Sequence, residues 1–237
     1  MVNEPYGRAT QIAITRADID EGLRAHMLRV YNYMVLGLGL TGAVAYVVSQ
    51  SETMMSAIFG TPLFWVVALA PLGLVFFLSA RVHKMSFSSA QLTFWIFAGL
   101  MGLSLASIFV IYTGMSIAKV FFITAGMFGG MSLYGYTTKK DLSGWGSFLF
   151  MGLIGIIIAS VVNMFLASSA MDFAISVIGV LIFTGLTAYD TQRIKQMYME
   201  SDSTDVAGKK AIMGALSLYL DFLNMFLMML RLFGGRN

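Results

Sequence analysis

Apolar residues gather into seven long runs along this chain, and short polar segments separate them. Each run is close to the roughly 20 residues that a helix needs to cross a hydrocarbon core of about 30 Å. The pattern therefore predicts an all-α membrane protein with seven transmembrane helices and no separate soluble domain. The runs are Val30–Val48, Leu63–Ala80, Ala90–Tyr112, Ala118–Tyr136, Ser147–Leu166, Met171–Tyr189 and Ile212–Leu230.

The first 29 residues are polar and include four arginines, so we do not expect them to be a cleaved signal sequence. Apolar residues recur at helical spacing from Ile19 to Val30, which predicts a short amphipathic helix over Asp18–Arg29 on the cytoplasmic surface. A solvated leader is the alternative. The chain is thus divided into a cytoplasmic segment, residues 1–29, and a membrane domain, residues 30–237.

Basic residues set the orientation. With a cytoplasmic N-terminus, twelve of the 15 lysines and arginines fall on the inner side, and only Lys119, Arg231 and Arg236 fall outside. The bias predicts an inner N-terminus and an outer C-terminus. Arg231 and Arg236 would also suit an inner C-terminus if one of the seven runs were re-entrant.

The last run contains an aspartate near its middle, Asp221. A carboxylate at such a depth costs roughly 2.5–3.5 kcal/mol on insertion scales, so it usually faces a partner or a water-filled cavity. Gly214, Ser217, Asp221 and Asn224 follow at spacings of three, four and three, which places them on one narrow stripe of a helix. We expect this stripe to face other helices rather than lipid.

A second aspartate, Asp190, follows Thr187 by three positions at the end of the sixth run. The helical pattern continues past it through Tyr198, and the first breakers are Ser201–Asp205 and Gly208. If both helices run straight into this turn, the two aspartates reach similar depth in one antiparallel hairpin, roughly 17–20 Å from it.

Two neighbouring carboxyl groups in a poor dielectric do not both ionise easily, so Asp190 and Asp221 are expected to share a proton. The shared proton would tie the two helices together. Its loss would leave two repelling charges that attract a hard cation such as calcium, as a transient metal site. The alternative is two unrelated aspartates that face separate clefts.

The amino-acid composition excludes several other kinds of functional site. Only 11% of residues are charged, and the net charge of +3 requires no nucleic-acid partner. Cysteine is absent, and two histidines are too few for a zinc cluster or a serine–histidine apparatus. We therefore expect no cofactor, with membrane lipid, protons and a permeant ion as partners.

Three segments in order resemble the Bax inhibitor-1 family, and the resemblance covers all seven runs. They are SLYGYTTKKDLS at Ser132–Ser143, GLTAYDTQ at Gly185–Gln192 and ALSLYLDFLN at Ala215–Asn224. The family includes bacterial calcium-leak proteins in which six helices surround a central C-terminal helix. Paired intramembrane aspartates, at the positions of Asp190 and Asp221 here, act as a pH-sensitive gate in those proteins. The resemblance therefore implies a pH-sensitive calcium leak channel in a bacterial inner membrane.

The resemblance also implies an arginine that pairs with the first aspartate in the closed form. Arg81, at the inner end of the second run, is the candidate for this latch, and an ordinary positive-inside anchor is its alternative role. Thr187, Ser217 and Asn224 are the supporting polar positions. An endoplasmic-reticulum-type membrane is the alternative location.

Other functions stay open at this point. A second branch of the family binds a membrane-bound ATP-dependent protease or modulates cell death and stress without moving ions. A proton-coupled carrier would also use buried acids. Intramembrane aspartyl proteases pair two aspartates as well, but their Gly-x-Gly-Asp and Pro-Ala-Leu motifs have no counterpart here, so we do not expect an enzyme.

Overall fold

The computed structural model describes the backbone of residues 5–237 and the side chains of residues 21–237. The described residues form nine α-helices, joined by short connections. They are α1 (Pro5–Ser49), α2 (Glu52–Phe59), α3 (Leu63–Arg81), α4 (Phe87–Leu105), α5 (Ile108–Ile111), α6 (Gly114–Thr137), α7 (Ser143–Leu166), α8 (Ser169–Gln196) and α9 (Thr204–Phe233).

Seven helical segments of the described chain are long and apolar enough to cross a membrane, and each coincides with one predicted run. Their most apolar windows have a mean hydropathy of 1.4 to 2.4. This confirms the all-α fold class with seven transmembrane helices. The third run differs in detail, because it is divided at Ala106 and Ser107 into α4 and the short helix α5.

The first helix is longer than its apolar run. The backbone of α1 is helical from Pro5 to Ser49, without an interruption at residue 29. The predicted amphipathic helix over Asp18–Arg29 lies within α1. The structure describes its side chains from Glu21 onward, and the side chains before Glu21 lie outside the described part. The division into residues 1–29 and 30–237 stays a prediction.

The C-terminal helix α9 is the most enclosed of the seven spans. In its most apolar window 67% of the residues are buried, against 11% to 44% in the other six. It packs mainly on α1, α4, α6 and α8, whereas α3 packs mainly on α4, and α7 on α8. A complete ring of six helices around α9 is therefore not confirmed.

One face of α9 is fixed by a buried polar and aromatic contact. The Tyr219 hydroxyl lies 2.7 Å from the Thr41 hydroxyl, which donates to the Ala98 carbonyl at 2.8 Å. Because the Thr41 proton is used on Ala98, Tyr219 is the donor to Thr41. The Phe97 and Tyr219 rings meet edge to face with centroids 5.1 Å apart. These contacts join α9 to α1 and α4.

The chain after α9 returns to the connection between α5 and α6. The Thr113 amide donates to the Gly235 carbonyl, and the Asn237 amide donates to the Ile111 carbonyl, each at 3.0 Å. The end of α9 therefore lies at the end of the bundle opposite the α8–α9 loop. An odd number of spans, seven in the described part of the chain, corresponds to chain ends on opposite sides of a membrane. That the N-terminus is cytoplasmic stays a prediction.

The α8–α9 loop differs from the sequence-based expectation. Helix α8 ends at Gln196 rather than continuing through Tyr198, and α9 begins at Thr204, where the Ser203 hydroxyl accepts from the Val206 amide. Gly208 is not a breaker, because it lies inside α9. A Cβ at Gly208 would lie 2.5 Å from the Phe87 ring, so this glycine allows α4 to approach α9.

We expect Gly135→Ala to destabilise the bundle by about 1–3 kcal/mol, because overpacking forces the backbone apart. A Cβ at Gly135 would overlap the Ala188 carbonyl group, which is α8 backbone and has no rotamer to change. Thermal unfolding in detergent measures the effect. Gly129→Ala on the same helix is the control, since a Cβ there meets nothing within 4 Å. Equal unfolding temperatures for the two variants would contradict this account of the crossing.

Candidate functional site

Three side-by-side contacts set the register of the antiparallel pair α8 and α9. Ile194 packs over Gly214, and Met228 packs over Gly179. Between them, the Thr184 hydroxyl lies 3.8 Å from the Met225 sulfur. By this register Asp190 is level with residue 218. Asp221 is then three residues, or about 4.5 Å, further along the helix axis, so the two aspartates lie within about one turn of each other.

Both aspartates line one cavity of about 1020 Å³. Helices α7, α8 and α9 form most of its wall, and Leu72 contributes from α3. The two aspartates therefore line one cavity, rather than the separate clefts of the alternative interpretation. Along the cavity the polar residues fall in three zones, with Arg193 toward the α8–α9 loop, Asp190, Ser147, Ser217, Asp221 and Asn224 in the middle, and Ser160, Asn163, Asp172 and Arg231 at the opposite end.

Asp221 is the most constrained polar group of the site. Its residue is only 5% exposed, and its Oδ2 atom has no hydrogen-bond partner among the described residues. Asp190 is partly buried and close enough for its charge to act on Asp221. A buried polar atom without a partner is costly, so its presence requires an explanation other than packing.

Three of the four residues of the predicted polar stripe on α9 line the cavity. Ser217, Asp221 and Asn224 all line it, while Gly214 turns toward α8 and contacts Ile194. Asn224 donates its Nδ2 to the Leu220 carbonyl at 2.8 Å, which leaves its Oδ1 available to the cavity.

Thr187 does not share this position. Its side chain is fully buried, and its hydroxyl donates to the Phe183 carbonyl of its own helix at 2.8 Å. It is not among the residues that line the cavity. A spacing of three residues from Asp190 is therefore not enough to predict that the Thr187 hydroxyl reaches the site.

The predicted latch residue Arg81 is exposed at the end of α3 and does not line the cavity. Arg193 does line it, one turn beyond Asp190 on the same helix, and its charge acts on Asp190. In the sequence, Arg193 counts only among the basic residues that set the orientation. Its spacing of three residues from Asp190 could have indicated that the two side chains lie close together. Pairing of Arg81 with Asp190 stays a prediction.

An ion pair marks the other end of the cavity. Arg231 Nη1 lies 3.6 Å from Asp172 Oδ1, and both side chains are about half exposed. Asp172 is at the start of α8 and Arg231 is near the end of α9. The sequence reasoning did not connect these two residues.

Hydrogen bonds from neighbouring helices hold the stretch of α8 that carries Asp190. The Thr191 hydroxyl donates to the Thr187 carbonyl at 2.7 Å and lies 2.9 Å from the Ser132 hydroxyl of α6. Ser132 in turn lies 2.6 Å from the Tyr31 hydroxyl of α1. Tyr31 therefore donates to Ser132, and Ser132 donates to Thr191. These hydrogen bonds join α1, α6 and α8 beside Asp190.

The connection between α6 and α7 is fixed to the same stretch by Gln192. Its Nε2 donates to the Lys140 carbonyl at 2.8 Å, and its Oε1 accepts from the Leu142 amide at 2.9 Å. At the start of α7, Gly146 lies against the Tyr189 ring, where a Cβ would be 2.5 Å from the ring. Asp190 is therefore held on a well-supported backbone.

Comparison with known proteins identifies the family of the chain. Residues 23–237 match the family described as "Inhibitor of apoptosis-promoting Bax1". The chain belongs to the Bax inhibitor-1 family. It is 50% identical over 234 residues to the inner membrane protein YbhL of Escherichia coli K12, with 98% of each chain covered. It is 36% identical over 226 residues to an uncharacterised membrane protein of Streptococcus pyogenes, with 94% of this chain and 97% of the relative covered.

A further relative, an uncharacterised protein of Rickettsia prowazekii, is 49% identical over 217 residues, with 92% of each chain covered. The descriptions of these three relatives name membrane proteins or leave the activity open, and name no enzymatic reaction. The seven apolar helices and the inner-membrane relative identify a multi-pass protein of the bacterial plasma membrane.

We expect a cysteine at Ser217 to react with a small cationic methanethiosulfonate about tenfold or more faster than a cysteine at Ser176, because thiol reactivity follows exposure. Ser217 lines the cavity, whereas Ser176 on α8 is fully buried. The chain has no native cysteine, so each single substitution reports one position. Labelling rates in liposomes provide the measurement, and equal rates at the two positions would mean that the cavity is closed to solutes.

Proposed function

We propose that this protein is a pH-sensitive calcium leak channel of the plasma membrane, without enzymatic activity, whose gate is the Asp190–Asp221 pair. The observation that supports this most is the position of both carboxyl groups on one cavity, within about one helical turn. Membership of the Bax inhibitor-1 family agrees with it. Calcium is then the cargo, and no bound cofactor is needed.

The cavity has the ligand chemistry that calcium prefers. Asp190, Asp221, Ser217 and Asn224 all present oxygen atoms to it, and calcium binds carboxylate, hydroxyl, amide and water oxygens. A tight calcium site takes about six to eight oxygen ligands. In the described part of the chain no group of three or more acidic or imidazole side chains could hold a metal. A site with two carboxylates suits brief occupancy during passage better than storage.

Protons would control the gate through the repulsion between the two carboxylates. When one proton is shared, Asp190 and Asp221 attract each other and hold α8 against α9. When it is lost, two negative charges repel across the pair and attract calcium. Leak should therefore be small in acid and rise as the pH rises.

We expect calcium flux into liposomes to increase between about pH 5 and about pH 8 for the native chain, since deprotonation favours the open pair. Asp190→Asn and Asp221→Asn each remove one ionisable group, so each should lower the flux at the higher pH by about tenfold and flatten its pH profile. A calcium dye inside the liposomes provides the measurement. Glu200→Gln removes an exposed carboxyl group from the α8–α9 loop and is the matched control.

Absence of calcium flux throughout this pH range would reject the channel. If the calcium flux keeps its pH dependence in both Asp190→Asn and Asp221→Asn, the aspartate pair is not the gate. Uptake that depends on an imposed proton gradient would instead indicate a proton-coupled carrier, which also uses buried acids.

A further inference from the structure

Two residues that line the cavity, one on α3 and one on α7, are more than half exposed. Leu72 on α3 and Ile157 on α7 both line it, and each is 55% exposed. Both residues are near the middle of their helices, which is the depth of the hydrocarbon core. A molecule dissolved in the bilayer can therefore reach the cavity without first entering water.

Most of the side chains that α7 contributes to the cavity are apolar. Phe150, Ile157 and Val161 are among them, and the polar residues from this helix are Ser147, Ser160 and Asn163. Its volume of about 1020 Å³ is at the upper end of the roughly 300–1,000 Å³ that small-molecule pockets occupy. An apolar chain fits these walls better than a hydrated ion does.

The charges of the cavity are separated along its length. Arg231 is near Asp172 at one mouth, and Arg193 is exposed at the other. Between the mouths the lining includes only negative ionisable groups, Asp190 and Asp221. Asp221 lines the cavity although its residue is only 5% exposed.

We propose that the cavity binds an amphiphile with a primary ammonium group on an apolar chain, which enters from the bilayer between α3 and α7. The ammonium donates to the carboxyl groups of Asp221 and Asp190, while the chain lies along Ile157 and its neighbours on α7. A primary ammonium has three donors and a positive charge, so it can pair with both carboxylates at once. A neutral amphiphile of the same length leaves both carboxylates without a charged partner.

This ligand occupies the carboxylates on which the proposed function rests, so it should compete with calcium for the site. Binding itself does not require transport. The two proposals can therefore fail separately, provided that binding is measured directly.

The experiment compares dodecylamine with dodecanol on the full chain in phosphatidylcholine nanodiscs near pH 7, where the alkylamine is charged. The shift of the unfolding midpoint with ligand concentration gives each affinity. We expect the amine to bind about tenfold or more tightly than the alcohol, and Asp221→Asn to remove this preference. Glu200→Gln is the control and should keep the preference.

Equal affinities of amine and alcohol for the native chain would overturn the inference, and so would an unchanged preference in Asp221→Asn. The comparison on the native chain needs no variant, so it decides the question even if Asp221→Asn does not fold. Calcium flux without amine binding would reject this inference alone. Amine binding by a native chain that moves no calcium would support the inference and reject the channel.

Discussion

The organisation of the molecule depends on Asp221, a carboxyl group inside the most enclosed of the seven spans, whose Oδ2 has no hydrogen-bond partner among the described residues. Such a group costs free energy in a bilayer, so the rest of α9 must be fixed strongly enough to keep it there. The opposite face of the helix meets this need, because Tyr219 is fully buried, packs against Phe97 and donates to Thr41. One face of α9 is thus anchored to α1 and α4, and the other presents Asp221 to the cavity.

The second aspartate is supported in a different way, through close backbone approach. Gly135 allows α6 to contact the α8 backbone at Ala188, and Gly146 allows α7 to contact Tyr189. Gln192 then joins α8 to the α6–α7 connection. Asp190 is therefore carried by a helix that close contacts with α6 and α7 hold in place, and it lines the cavity to which Leu72 of α3 also contributes.

Hydropathy and helical spacing predicted the seven spans and the polar stripe of α9, because both are properties of single helices. The helix ends were less predictable, since caps such as Ser203 lie in polar segments outside the apolar runs. The rotation of α8 was not predictable from spacing, since it is set by contacts with α6 and α7. That is why Thr187 proved to be buried away from the cavity, and why Arg193, rather than Arg81, lies beside Asp190.

The arrangement of charge along the cavity is informative about what can pass through it. Both mouths include an arginine, Arg193 at one and Arg231 at the other, and the carboxylates Asp190 and Asp221 lie between them. For the channel proposed above, a cation that enters past Arg193 meets a positive side chain first and the two carboxylates second, whereas Arg231 at the other mouth is paired with Asp172. Conduction needs binding that is strong enough to admit an ion and weak enough to release it. A pair of carboxylates with one arginine close by satisfies this balance better than a saturated metal cage, because the positive charge reduces the affinity of the pair for a cation.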